Sequence, residues 1–124
     1  MTKQEMFDKA VRGLAKQCWK RAARVTDIGN SICVYQDKDG NRCAWGWIDL
    51  SLTDDEGGVA TLKNRGIGIA ATLNDDELEF ASLLQLAHDE TTNCDGGQIM
   101  LDSFIAIGQN HGLIWPADVS LTIQ

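Results

Sequence analysis

The chain has 124 residues, enough for one hydrophobic core without disulfide or metal staples, with 44% hydrophobic and 23% charged residues and a net charge of −7. No run of roughly 20 apolar residues is present, which excludes a helical membrane span, and the polar start Met1-Thr2-Lys3-Gln4-Glu5 has no apolar signal-peptide core. The expectation is a single globular domain over residues 1–124 in the cytoplasm, with its four cysteines as free thiols rather than bridges.

Charge divides unevenly along the chain. Residues 1–24 hold seven basic residues against two acidic ones, a net +5, and the remainder holds four against sixteen, a net −12. Such polarity steers partners or orients self-association.

The first expected element is a helix. Thr2 followed by Glu5 is a capping-box pattern. Phe7, Ala10, Val11, Leu14 and Cys18 recur at helical spacing as a buried stripe, and Lys9, Arg12, Lys16 and Lys20 fall on the outer side. The helix is expected to fade between Ala22 and Val25.

Two short β-prone runs follow, Ile32-Cys33-Val34-Tyr35 and Arg42-Cys43-Ala44-Trp45, on either side of an Asp-Gly turn. That pattern predicts a β-hairpin. Asp37-x-Asp39-Gly40-Asn41 partly matches a calcium loop, but Gly46 stands where the last acidic ligand belongs, so a turn is the better reading. Beyond Gly46 the run Trp47–Leu50 suits a short helix leaving the hairpin, and Val59–Lys63 suits another, closed by Gly66 or Gly68.

Asn74 with Glu77 is a second capping box, and Asp75 and Asp76 suit the positive end of a helix dipole. Leu78, Ala81, Leu84, Gln85 and His88 trace one face of this helix to about Glu90, widened by Phe80, Leu83 and Ala87. Asp95 with Gln98 opens the last helix, with Phe104 and Ile107 in its stripe and Gly112 as its stop. The alternating tail 119–123 predicts a strand. The fold class expected from these elements is α+β: a mostly helical domain of three to four helices with a small β-hairpin or short antiparallel sheet.

The hairpin also carries a resemblance. Cys33-Val34-Tyr35, Gly40 and Cys43-Ala44-Trp45-Gly46 together resemble the Cys-x-Tyr…Gly…Cys-Ala-x-Gly signature of a family of small proteins from bacteriophages and prophage regions. The opening helix, the acidic loop at 54–57, the leucine-rich helix ending in His88-Asp89 and the closing His111-Gly112-Leu113 extend the likeness. Trp47–Leu52 replaces the family's usual proline-containing acidic turn, and the tail beyond Leu113 is longer. The resemblance implies an origin in mobile elements and no particular activity.

Three chemical readings compete. Cys43 as nucleophile, with His88 or His111 as base, describes a small Cys/His enzyme. Cys33, Cys43, His88 and His111 describe a tetrahedral zinc site if the fold gathers them, although they lack the paired spacing of such sites. The favoured reading uses neither catalysis nor a cofactor. It is a protein-binding module that acts on a host or defence protein through Asp54, Asp55, Glu56, Asp75, Asp76, Glu77 and Glu79, edged by Trp45 and Trp47. The basic stripe could track phosphates, but bulk negative charge argues against direct nucleic-acid binding. A symmetric homodimer fits the same reading.

Overall fold

The Thr2 hydroxyl accepts the Glu5 amide at 3.1 Å and the Glu5 carboxylate accepts the Thr2 amide at 3.2 Å, so the first capping box is formed and starts α1 (Lys3–Lys16). These coordinates are a computed structural model that describes residues 1–25, 28, 31–53, 57–90 and 96–123. The inner stripe of α1 is Met6, Phe7, Ala10, Val11 and Leu14, all fully buried. Cys18 does not join it.

The helix ends earlier than its polar periodicity predicts. Cys18 and Trp19 adopt left-handed backbone angles, φ 57° and 59°, and the Trp19 amide folds back to Leu14 O at 2.9 Å. Each costs about 1–2 kcal/mol for a side chain with a Cβ. The reversal turns Cys18 outward and sends Trp19 into the core, where it packs on Phe104 at 5.7 Å and stacks on Trp115 at 6.2 Å. A buried tryptophan contributes roughly 2–3 kcal/mol, which is enough to hold such a turn.

The expected hairpin does not form. β1 (Ala23–Val25) pairs with β2 (Ser31–Cys33) in antiparallel register, Ala23 opposite Cys33 and Val25 opposite Ser31. Between the two predicted runs only a single Gln36–Arg42 bridge remains, with the Asp37 carboxylate accepting the Asp39 and Asn41 amides at 2.9 Å each. The second run is helical instead and forms α2 (Ala44–Ile48). Its first-turn amides find buried side-chain acceptors: Gly46 donates to Cys43 Sγ at 3.3 Å and Trp45 donates to Gln85 Oε1 at 3.0 Å. A strand there would leave Gln85 without that donor and Trp45 without its buried site.

Next come α3 (Val59–Asn64), a 3₁₀ turn at Ile69–Thr72, α4 (Asp75–Asp89) and α5 (Gln98–Asn110). The second capping box is formed, with Asn74 Oδ1 accepting the Glu77 amide and Glu77 Oε1 accepting the Asn74 amide, both at 2.8 Å. α4 is the hub and packs against α1, α2, α3 and α5 through Phe80, Ala81, Leu84, Gln85 and His88. The N-cap of α5 is Gly97; the predicted cap Asp95 lies outside the described residues. The tail is not a strand. Gln4 grips both backbone groups of Ile114 at 2.9 Å, and Trp115 lies edge-on to Phe7 at 5.9 Å.

The α+β expectation is therefore corrected. Among the described residues the fold is built of five α-helices, and strand is confined to the three-residue β1–β2 pair. No helix among them is long and apolar enough to cross a membrane.

Candidate functional site

Cys43, Gln85, His88 and Asp89 meet where the start of α2 faces the last turn of α4. The polar chain runs from the Trp45 amide to Gln85 Oε1, from Gln85 Nε2 to Asp89 Oδ1 at 3.0 Å, and from His88 Nδ1 to the same carboxylate oxygen at 2.9 Å. His88 is fully buried, and its Nε2 accepts the Ala22 amide at 3.1 Å. An accepting Nε2 fixes the proton on Nδ1, where it donates to Asp89. Both imidazole nitrogens are thus committed to structure.

Cys43 is equally committed. Burial pushes its thiol up to about 12, against the opposing pull of the Gly46 amide and Gln85. A thiol held there is protonated at neutral pH and, being wholly buried, meets no substrate. The Cys43 nucleophile reading is corrected on both counts. The sequence signal for the network is real, since Gln85 and His88 lie on one predicted face of α4, but its product is a buried clasp between elements.

His111 goes elsewhere. It caps the C-terminus of α5 and sits edge-on to Phe80 at 5.1 Å. Phe80 and His88 are eight residues apart on α4, a rise of about 12 Å. The zinc reading from Cys33, Cys43, His88 and His111 therefore loses its convergence: His88 and His111 address different ends of one helix, and the Cys33 side chain lies outside the described residues. Among the described residues no three His, Cys, Asp or Glu side chains are placed to hold a metal ion.

The aromatic edge of the expected binding surface is corrected at Trp45, while Trp47 stays half-buried. Trp45 is wholly buried. Trp47 lies flat on Gly13 of α1, where an added Cβ would sit 2.1 Å from the ring, and its indole N–H donates to Gln17 Oε1 at 3.0 Å.

The acidic surface fares differently. Asp75, Asp76 and Glu79 are exposed on the first turns of α4, with Glu77 half-buried in the capping box, 3.8 Å from the N-terminal ammonium. Asp76 pairs with Lys3 at 3.0 Å, and the Lys3 ammonium also stands 5.9 Å from the Phe80 ring centroid. Asp54, Asp55 and Glu56 lie outside the described residues.

Beside these carboxylates runs a groove of about 390 Å³ that Phe80, Leu83, Leu86 and His111 line together with Asp76 and Glu79. Leu83 and Leu86 are 36% and 49% exposed, large apolar side chains turned away from the core. Sequence periodicity assigns Leu83 to the core-facing stripe and passes over Leu86. The available signal was the breadth of apolar positions on α4, wider than one buried face needs. Comparison with family models, curated proteins and solved structures yields no match.

Proposed function

We propose that this domain is a protein-binding module whose α4 groove receives a basic amphipathic segment of a partner. The observation that carries the reading is the juxtaposition of exposed Leu83 and Leu86 with the carboxylates of Asp76 and Glu79 in one groove. Apolar side chains beside fixed negative charge suit a segment that offers leucine-like anchors flanked by lysine or arginine. The net charge of −7 attracts such a segment at long range. The likeness to phage and prophage proteins supports a cellular setting: an accessory protein in the host cytoplasm, acting on a host or defence protein by occupying one of its basic surfaces.

The test uses a defined ligand. A fluorescent amphipathic peptide of about five helical turns, with leucines on one face and lysines beside them, is titrated against the protein alongside a mirror peptide carrying glutamates. Saturable binding of the lysine peptide is expected, weakened about tenfold or more by Leu83→Ser with Leu86→Ser and by Asp76→Lys with Glu79→Lys. Equal binding of the two peptides, or indifference to both variant pairs, would overturn the reading.

A further inference from the structure

A second groove, of about 470 Å³, lies between the C-terminal half of α1 and the segment 118–123. Its apolar floor is made by Ala15, Trp19, Val119 and Ile123, and its rim carries Lys16, Cys18, Ser120 and Thr122. The volume falls within the range of small-molecule sites, and an apolar floor with few polar groups is their usual lining.

The charges at the rim are arranged so that one cation is left over. Arg12 and Asp118 close one end as a forked pair, with the guanidinium Nε at 3.2 Å from both carboxylate oxygens and Nη2 at 3.2 Å from one. Their charges cancel. Lys16 has no ion-pair partner among the described residues, so it sets the sign of the groove. It stands in the N-terminal segment of the chain, whose residues 1–24 carry a net +5.

The hydroxyls add a donor. Ser120 Oγ and Thr122 Oγ1 lie 3.0 Å apart, and Ser120 Oγ also accepts the Thr122 amide at 3.1 Å. One hydroxyl proton serves the bond between them, and the other remains to donate outward. The floor is closely backed from behind. At Gly97 an added Cβ would meet Trp19 Cβ at 2.6 Å and the Cys18 carbonyl oxygen at 3.0 Å, so the α5 start presses flush against the turn that places Trp19.

From these features we infer that the groove binds a small aromatic acid: a flat apolar body over Ile123 and the Trp19 edge, and one anionic group between the Lys16 ammonium and the Ser120–Thr122 hydroxyls. This site is separate from the α4 groove and does not depend on how that groove is used.

Cys18 makes the site readable, because its exposed thiol lines the groove while Cys43 is buried. The full chain is treated with iodoacetamide, alone and with phenyl phosphate, phenol or inorganic phosphate, and alkylation is assigned to Cys18 by peptide mass mapping. Phenyl phosphate is expected to slow Cys18 alkylation saturably and to shift tryptophan emission over the same concentrations. Phenol and phosphate are each expected to act about tenfold more weakly. Lys16→Met should weaken phenyl phosphate about tenfold, and Lys9→Met should not. Both lysines are exposed, and circular dichroism checks that the variants stay folded. No protection of Cys18 at 10 mM phenyl phosphate overturns the assignment; so does protection by phenol equal to that by phenyl phosphate, or a Lys16→Met variant that binds like the parent.

Discussion

The Ala22 amide donates to His88 Nε2 at 3.1 Å, a buried bond that ties the segment leading into β1 to the last turn of α4, 66 residues further along. With Nδ1 given to Asp89, the ring is held as one neutral tautomer. Nitrogen NMR is expected to show a protonated Nδ1 and an unprotonated Nε2 at neutral pH; the reverse tautomer would contradict the clasp. His88→Ala is expected to cost about 2–4 kcal/mol in urea unfolding, from the cavity and the orphaned Ala22 amide. His88→Gln, whose amide oxygen can reach that N–H, should recover part of the loss.

Gly13 is the second fixed point. Trp47 covers it so closely that a methyl group there overlaps the indole. Gly13→Ala is expected to destabilise by about 2–3 kcal/mol. In a Trp47→Ala background the sign should reverse, because alanine in an open helix position is favoured over glycine by about 1 kcal/mol. A double-mutant cycle by thermal or urea unfolding checks the coupling; additive effects would disprove the contact.

The stability profile against pH is expected to show two separable limbs. Burial raises the Asp49 carboxyl, but hydrogen bonds from the Ser51 hydroxyl and the Ile69 and Ser51 amides, with Arg42 nearby, outweigh it and hold the group below its ordinary value. A depressed folded pKa adds stability above the unfolded value of about 3.9, and that stability is lost as pH falls through the folded value. Asp49→Asn should therefore lower stability at pH 7 by about 1–3 kcal/mol and flatten the acid limb. Cys43 acts at the other end. Its folded thiol lies at about 12. Stability is unaffected below about pH 8.5 and falls by about 1.4 kcal/mol per pH unit from there toward the folded value. Cys43→Ala should flatten that alkaline limb, and urea unfolding across the pH range reads both.

Local rules predicted the elements that local chemistry controls. Thr2 with Glu5 and Asn74 with Glu77 formed as read, because a capping box is closed within four residues. The run Arg42–Trp45 misled for the opposite reason. Its β-prone residues and the Asp-Gly turn favour a strand, but the acceptor that turns Trp45 into a helix start is Gln85, forty residues away. The left-handed pair at Cys18 and Trp19 was equally hidden, since only the aromatic cluster with Phe104 and Trp115 compensates its strain.

For the candidate sites the division is the same. Asp75, Asp76 and Glu79 were legible as an exposed acidic turn, whereas the groove beside them needed Leu83 and Leu86 to be left outside the core. Composition and periodicity determined which residues are charged, where α4 and α5 run and how α1 and α4 begin, because those properties depend on neighbours within a turn or two. Tertiary packing decided that Cys43 and His88 are buried fasteners, that Trp45 belongs to the core and Trp47 covers Gly13, and that one groove opens at the end of α1 and another along α4. Each of those outcomes depends on partners brought together only when the helices pack, and no local pattern encodes which partner wins.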